Sequence, residues 1–283
     1  MADGAIFYLC NSICLQVQHF ITMKKTVKYT LGYSLSGGGV KGLAHAGALK
    51  ALEEYGLRPQ VISGTSAGAI AAVMYSAGMK PAEILKVFKS RAFNDFVAPT
   101  LPTSGFLSLE KFQKLLQTLI PYANLEDLPI PVRILASDLD HGKSVVFDSG
   151  SLPERVAASA SVPIVFMPTR IDGVYYVDGG VFRNFPVKEI RKDCARVVGI
   201  NVSPLVPDNY KRNFLGIADR AYNFMFRANT LEDRKLCDVL VETPSALQFG
   251  TFDMRKLDDL FNLGYQAMME QLERLDASFF ERE

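Results

Sequence analysis

The amino-acid sequence predicts an α/β fold in which a mostly parallel central sheet lies between two layers of helices. Short apolar segments with strand periodicity alternate with longer segments whose apolar residues recur at helical spacing. The segment Ala195 to Val202 is a β-branched run, which is typical of a parallel strand buried on both faces. We therefore expect a three-layer α/β/α domain.

The first unit of the chain has the order strand, turn, helix. Thr30 to Ser36 alternates larger apolar residues with smaller ones, as a short strand does. Three glycines, Gly37 to Gly39, follow directly as a turn. From Val40 to Tyr55 the apolar residues fall at helical spacing, and Gly56 stands at the position of a helix C-cap, shortly before Pro59.

The second unit repeats this order. Gln60 to Ser63 has the composition of a short strand, Gly64 to Gly68 that of a turn, and Ser66 to Ala77 that of an alanine-rich helix ended by Gly78. This helix has no charged residue, so we expect it to be buried.

The rest of the chain continues the alternation and becomes mostly helical beyond Tyr210. We predict strands at Val132–Ala136, Val145–Phe147, Val174–Val177 and Ala195–Val202. We predict helices at Pro81–Lys89, Ser108–Ile120 and Leu152–Ala160, and an amphipathic helix between about Asp253 and Glu283.

Length and composition predict one large domain. A chain of 283 residues with 48% hydrophobic content suffices for a single core, which we place at residues 29–283 with a helical C-terminal part. Residues 1–28 are expected to be an N-terminal extension. Its apolar part, Ala5 to Ile21, lacks the basic leader of a signal peptide. Because Met23 directly precedes two lysines and the first strand, we expect residues 1–22 to lie upstream of the native start, or the extension to be poorly ordered.

Charge and cysteine content indicate the surroundings of the protein. The chain has 31 basic and 30 acidic residues, so no net field attracts it to nucleic acid. Its four cysteines are too scattered for a disulfide framework, and no uninterrupted run of 18 apolar residues occurs. We expect a cytoplasmic protein with transient, peripheral membrane contact. The apolar loop Phe96 to Phe106 is either a packed connector or a lid or membrane-facing rim.

A candidate nucleophile lies in the second unit. The segment Gly64 to Gly68 fits G-x-S-x-G, the turn between a strand and a helix that exposes a serine hydroxyl, here Ser66. The apolar Val61-Ile62 before it and the helical Ala69 to Val73 after it provide the strand and helix that the motif requires.

The glycine turn Gly37 to Gly39 allows two functional interpretations. With Gly42 it matches G-x-G-x-x-G, the dinucleotide fingerprint, but the acidic residue expected at the end of the second strand is absent, and Glu53 and Glu54 fall inside a helix. Alternatively, its backbone N–H groups form an oxyanion hole near a helix N-terminus. Lys41 is either a phosphate ligand or a solvated surface lysine.

A serine nucleophile needs a base, and the three histidines are poor candidates. His19 lies in the N-terminal extension, and His45 is expected to pack inside a helix. His141 falls in a turn between strands, although with Asp127 it keeps the usual order of a Ser-Asp-His triad open. Asp178, in Asp-Gly-Gly directly after a strand, is either an ordinary turn residue or a carboxylate base beside Ser66.

Four short blocks resemble the patatin-like phospholipase family over about Tyr29 to Pro204. They are Leu35 to His45, Gly64 to Gly68, Ala158 to Pro163 and Val177 to Gly180, in family order.

The resemblance implies acyl-enzyme chemistry on lipid esters by a Ser–Asp dyad, with Ser66 as nucleophile and Asp178 as base. It implies an oxyanion hole formed by the amides of Gly37, Gly38 and Gly39. Lys41 stands where the family often has arginine, which keeps the charge but loses the bidentate fork for phosphate, so we assign Lys41 to substrate binding only as an expectation. Ser159 and Ser161 are expected to support the active-site loop.

We therefore expect a lipid acyl hydrolase that needs neither a metal nor an organic cofactor. Its partner is a lipid ester or phospholipid substrate, with transient contact to a membrane surface and none to nucleic acid. Two alternatives stay open: a non-catalytic lipid-binding protein of the same fold, and a dinucleotide-binding oxidoreductase.

Overall fold

A mixed β-sheet forms the centre of the computed structural model, which describes residues 27–90, 93, 108–207, 210, 212–249, 254–276 and 279. Within these residues the sheet has eight strands. They are β1 (Tyr29–Leu35), β2 (Val61–Thr65), β3 (Val132–Asp138), β4 (Lys143–Phe147), β5 (Thr169–Ile171), β6 (Val174–Asp178), β7 (Cys194–Asn201) and β8 (Val239–Glu242).

Helices cover both faces of this sheet. They are α1 (Leu43–Glu54), α2 (Ala67–Ser76), α3 (Pro81–Lys89), α4 (Glu110–Leu119), α5 (Leu152–Ala160), α6 (Gly180–Arg183), α7 (Lys188–Arg191), α8 (Phe214–Ala228), α9 (Leu231–Arg234) and α10 (Leu257–Leu272). Short 3-10 turns lie at Gly39–Gly42, Leu125–Asp127, Pro244–Gln248 and Met254–Lys256.

The strands are mostly parallel. The strands pair in the order β8-β7-β1-β2-β3, and β3 also pairs with β4 and with β6, which in turn pairs with β5. The pairs among β3, β2, β1, β7 and β8 are all parallel, whereas β4 and β6 run antiparallel to β3. This confirms the predicted three-layer α/β class with a mostly parallel sheet.

Strands β2 and β6 meet end to end beside β3. Leu135 of β3 pairs with Thr65 of β2 on one side and with β4 on the other. The next residue, Ala136, pairs with Asp178 of β6 and again with β4. Since β4 occupies one side throughout, β2 and β6 share the opposite side, and their C-terminal ends face each other. The residue after Thr65 is Ser66, so the fold places Ser66 opposite Asp178.

The two faces of the sheet bury different amounts of apolar surface. On the larger side, α1, α2, α3, α4, α5 and α10 pack over side chains such as Ile62 and Val198. Their neighbours Val61 and Val197 point to the other face, because side chains alternate along a strand. There they contact Phe185 and the short helix α7.

Helix α10 crosses α1 at very short range. A Cβ atom on Gly264 would lie 1.9 Å from the carbonyl oxygen of Ala44, and one on Gly47 would lie 1.8 Å from that of Phe261. Only glycine allows the two backbones to approach so closely. The C-terminal helix thereby belongs to the same core as the first unit.

Most predicted elements agree with the structure, and three differ from it. The uncharged helix is α2, and all ten of its residues are buried. Strand β2 extends through Gly64 and Thr65, which the sequence assigned to the turn. The short strands β5 and β8 were not predicted, and β8 lies within the segment expected to be mostly helical. Residues 1–26 and 96–106 lie outside the described residues, so the predictions about the extension and the apolar loop stay predictions.

Candidate active site

Ser66 occupies the sharp turn between β2 and α2. Its backbone has φ 53° and ψ −120°. This conformation lies in the positive-φ region and costs a non-glycine residue about 1–3 kcal/mol. The Ser66 N–H donates to Oγ of Ser159 at 2.8 Å, and its carbonyl accepts from Ile70 N at 3.0 Å. Ser159 therefore contacts the Ser66 backbone directly, which agrees with its expected supporting role.

The glycines around Ser66 are required by close backbone contacts. A Cβ on Gly64 would lie 2.7 Å from the carbonyl carbon of Gly68. A Cβ on Gly68 would lie 2.2 Å from the carbonyl oxygen of Leu35 in β1. Since no side chain fits at either position, the G-x-S-x-G spacing follows from packing of the turn against β1.

Asp178 lies against Ser66 at the end of β6 and is buried. Its carboxylate accepts a hydrogen bond from Gly180 N at 2.7 Å. Burial raises the pKa of Asp178 to about 6, and the nearby Ser66 hydroxyl and the Gly180 amide oppose the rise. Its backbone is held by Ser137 Oγ at 2.9 Å and by the carbonyl of Ser161 at 2.9 Å.

The glycine loop lies beside Ser66, but its first amide is already bonded. The Gly37 N–H donates to the carbonyl oxygen of Asn184 at 2.9 Å. Because this amide is bonded within the protein, Gly38 and Gly39 are the better placed of the three glycines predicted as oxyanion donors, and that role stays a prediction. Gly38 and Gly39 line the cavity above Ser66. A Cβ on Gly38 would lie 2.6 Å from Val202 Cγ2, so a larger residue there would displace the loop.

A cavity of about 620 Å³ opens above the Ser66–Asp178 pair. Its volume is within the range of sites that hold small organic ligands. Two buried basic side chains, Lys41 and Arg227, line it. Lys41 is only 3% exposed, which is inconsistent with a solvated surface lysine. Arg227, which lies on α8, belongs to no motif that the sequence analysis identified.

A second, small pocket of about 40 Å³ begins at the same serine. It shares Ser66, Gly39 and Val162 with the larger cavity. The remainder of its lining is apolar and consists of Val40, Ala67, Ile70, Phe88, Phe93, Ala160 and Phe166. Ser66 therefore separates a large cavity with basic groups from a small apolar one.

Two asparagines that the sequence did not indicate connect the site loops. The Asn184 N–H donates to Oδ1 of Asn229 at 2.8 Å, and Nδ2 of Asn229 donates to the carbonyl of Gly180 at 2.8 Å. Because Gly180 binds the Asp178 carboxylate and Asn184 binds Gly37, Asn229 holds both active-site loops together. A single asparagine in a loop is too common to be recognised as functional from sequence.

The described histidines lie away from the dyad. His45 is buried in α1, where its Nε2 contacts the carbonyl of Ser36 at 2.8 Å, and burial lowers the pKa of His45 to about 4. His141 lies in the turn after β3, with Nδ1 2.9 Å from a carboxylate oxygen of Asp138. Neither lines the two pockets around Ser66. His19 lies outside the described residues.

Strand β2 does not end in the acidic residue that a dinucleotide-binding site needs for the ribose. Glu53 and Glu54 lie in α1, where Glu53 accepts from Tyr75 and Glu54 pairs with Lys50. The end of β2 carries Ser63-Gly64-Thr65 instead.

Comparison with known proteins identifies the family. Residues 33–190 match the family model described as patatin-like phospholipase. An uncharacterised NTE family protein of Mycobacterium tuberculosis is 32% identical over 179 residues, which cover 62% of this chain and 50% of that protein. Lysophospholipase NTE1 of Scheffersomyces stipitis is 23% identical over 269 residues, 83% of this chain and 17% of that protein.

The chain thus spans about half the length of the first of these curated relatives and a smaller share of the second. Among solved structures, VipD from Legionella pneumophila has a TM-score of 0.49 and 15% identity, covering 87% of this chain and 67% of its own. The family model covers more than half of the chain, and on this ground the chain belongs to the patatin-like phospholipase family.

Proposed function

We propose that the protein hydrolyses carboxylic esters of lipids, with Ser66 as nucleophile and Asp178 as general base. The observation that carries this proposal is that the Ser66 hydroxyl lies beside the buried carboxylate of Asp178 and that both residues line one large cavity. Membership of a phospholipase family supports it. The similarity to a lysophospholipase supports a lipid ester as the substrate class.

In the first half of the reaction, Asp178 accepts the hydroxyl proton while Ser66 Oγ attacks the ester carbonyl. The carbonyl oxygen becomes an oxyanion, which the amides of Gly38 and Gly39 stabilise from the adjoining loop. Collapse of this intermediate breaks the ester bond, and the proton held by Asp178 passes to the leaving alcohol. The acyl group stays on Ser66.

In the second half, Asp178 accepts a proton from water, which attacks the acyl-enzyme carbonyl. The fatty acid leaves, and Ser66 regains its proton from Asp178. A pKa of about 6 suits this role, because the carboxylate is mostly ionised at neutral pH yet basic enough to accept a proton. These steps need neither a histidine nor a metal.

The two pockets around Ser66 suggest how the substrate lies. The apolar pocket, with Phe88 and Phe166, takes the carbons next to the carbonyl, since it offers no polar partner. The alcohol part occupies the larger cavity. Lys41, whose ammonium group lines that cavity, is the proposed contact for a phosphate on the substrate.

Labelling with a fluorophosphonate tests this proposal directly. We expect covalent modification at Ser66 alone, located by intact mass and peptide mapping, and none in Ser66→Ala. Asp178→Asn should label far more slowly while keeping its far-UV circular dichroism. If well-folded wild-type protein does not react, the proposal is contradicted and a non-catalytic lipid-binding protein becomes the better explanation.

A further inference from the structure

Helix α8 presents an apolar stripe to solvent. Phe214 is 84% exposed and Ile217 54% exposed. Among the residues of the helix whose burial is described, the exposed ones recur at helical spacing and are Phe214, Ile217, Ala221, Phe224, Met225 and Ala228. The apolar stripe of an amphipathic helix normally faces the core of a domain. In α8 an apolar stripe faces solvent instead.

The other face of α8 forms a wall of the active-site cavity. Tyr222, Asn223, Phe226 and Arg227 line that cavity. The Tyr222 hydroxyl donates to the carbonyl oxygen of Pro163 at 3.1 Å, which ties the helix to the loop that follows α5. The exposed stripe therefore belongs to an element that borders the entrance to Ser66.

The loop across from α8 adds apolar surface at the same entrance. Ile164 lines the cavity and is nevertheless 76% exposed, with a backbone φ of 74° that is unusual for a β-branched residue. Met167 is also exposed. Large apolar side chains are thus exposed to solvent on both sides of the entrance.

We infer that this surface, formed by the α8 stripe with Ile164 and Met167 and here called the docking face, rests on a lipid bilayer surface and admits the ester from it. The inference rests on the proposed function, because it supplies the route by which a lipid substrate reaches Ser66. Apolar side chains on a helix that lies in the plane of the interface insert into the boundary between head groups and acyl chains.

The size of the docking face favours a bilayer over a second copy of the chain. A helix of 15 residues is about 22 Å long, so a stripe about 10 Å wide offers roughly 220 Å². A stable dimer buries roughly 800 Å² per partner. A second copy seated here would also cover the cavity entrance. Exposed Arg212, just before the helix, suits the phosphates of a lipid surface.

The helix is suited to lie on a membrane and not to cross one. A bilayer-spanning helix needs about 20 apolar residues, and α8 has 15. None of the helices within the described ranges is long and apolar enough to span a bilayer.

Tryptophan fluorescence gives the first test, because the chain contains no tryptophan. In Phe214→Trp, carried on Ser66→Ala so that no lipid is hydrolysed, the emission should shift to the blue when vesicles of equal parts phosphatidylcholine and phosphatidylglycerol are added. Brominated lipids should quench it. Val27→Trp, two residues before β1 and at the opposite end of the parallel strands from Ser66, should show neither change. An emission already blue-shifted without vesicles and unaltered by them would mean that protein covers the residue, which overturns the inference.

Charge substitutions give the second test. In the same Ser66→Ala background, Phe214→Glu with Ile217→Glu should weaken binding to these vesicles by about tenfold or more in cosedimentation, because each change removes the burial of a large apolar side chain. Val27→Glu should bind like the parent. Equal weakening by Val27→Glu, no vesicle binding by the parent, or a parent dimer that becomes monomeric in the double variant would each overturn the assignment.

The two proposals can fail separately. Vesicle binding is measured in a protein without the nucleophile, so it does not depend on hydrolysis. Conversely, Phe214→Glu with Ile217→Glu in the wild-type background should hydrolyse a soluble nitrophenyl ester at the wild-type rate, since neither residue lines the cavity. That rate also shows that the variant is folded.

Discussion

Replacement of Asp178 by asparagine is expected to stabilise the protein at neutral pH while it abolishes hydrolysis. Burial raises the pKa of this carboxyl from 3.8 to about 6. Between these values the folded state holds a proton that the unfolded chain has released. The free energy of unfolding of the wild type therefore falls as pH rises through this window. The full destabilisation by the buried, ionised carboxylate is reached above about pH 6. A shift of about two pKa units corresponds to about 3 kcal/mol.

Asparagine has nearly the same shape as aspartate and is neutral at every pH. It still offers an oxygen to Gly180 N, which donates to Asp178 Oδ1 at 2.7 Å in the native site. The pH-dependent cost is absent from Asp178→Asn. The difference in free energy of unfolding between variant and wild type should therefore grow by about 3 kcal/mol from about pH 4 to pH 7. At neutral pH this is a rise in Tm on the order of 6 °C.

Urea unfolding followed by circular dichroism at several pH values measures this difference, and hydrolysis of a soluble nitrophenyl ester measures activity in the same samples. The matched control is Asp148→Asn, since Asp148 is exposed on the surface. The change with pH should be larger for Asp178→Asn than for this control. A stability difference for Asp178→Asn that is independent of pH would refute the reasoning, because the Asp178 carboxyl would then have no raised pKa.

Three further outcomes are expected. On a soluble ester, kcat/KM should fall about tenfold per pH unit below about pH 6 as Asp178 is protonated, and a rate that is constant down to pH 4.5 would contradict Asp178 as the base. Ser159→Ala removes the acceptor 2.8 Å from Ser66 N and should cost about 1–3 kcal/mol of stability and lower kcat more than it changes KM; unchanged kcat would argue against a positioning role. Gly264→Ala should destabilise the fold by about 3 kcal/mol or more in urea unfolding, and Gly56→Ala, which has open space around it but a φ of 71°, by about 1–2 kcal/mol; equal losses would contradict a close α1–α10 crossing.

The sequence was sufficient to predict the architecture because each parallel strand and its helix carry their own local pattern. The glycine at the end of α1 illustrates this: Gly56 adopts φ 71°, and Leu57 N bonds to the carbonyl of Leu52, as a helix ended by a left-handed glycine requires. The strands that were not predicted are β5 and β8, which have three and four residues. Segments so short have no measurable period, and pairing with neighbours distant in sequence decides their conformation.

The proximity of Ser66 and Asp178 could be predicted from motifs, but the hydrogen bonding of each neighbouring group could not. Gly37 looked equivalent to Gly38 and Gly39, and only the carbonyl of Asn184, 147 residues away in the chain, distinguishes its amide. The sequence predicted mostly helical structure beyond Tyr210, but helical spacing alone does not determine which face of a helix meets the core. The exposure of the α8 stripe depends on the packing of Tyr222, Asn223, Phe226 and Arg227 around the cavity, which is a tertiary property.

The meeting of β2 and β6 beside β3 separates the alignment of the two groups proposed to react from the choice of substrate. Thr65, the residue before Ser66, and Asp178 pair with the neighbouring residues Leu135 and Ala136 of β3, so the sheet brings Ser66 and Asp178 together. The cavity wall is built from other parts of the chain, α8 and the loop at Ile164. Sequence change in those parts can therefore alter which esters are accepted without moving the serine from the carboxylate, so that new specificities can evolve on an unchanged reaction centre.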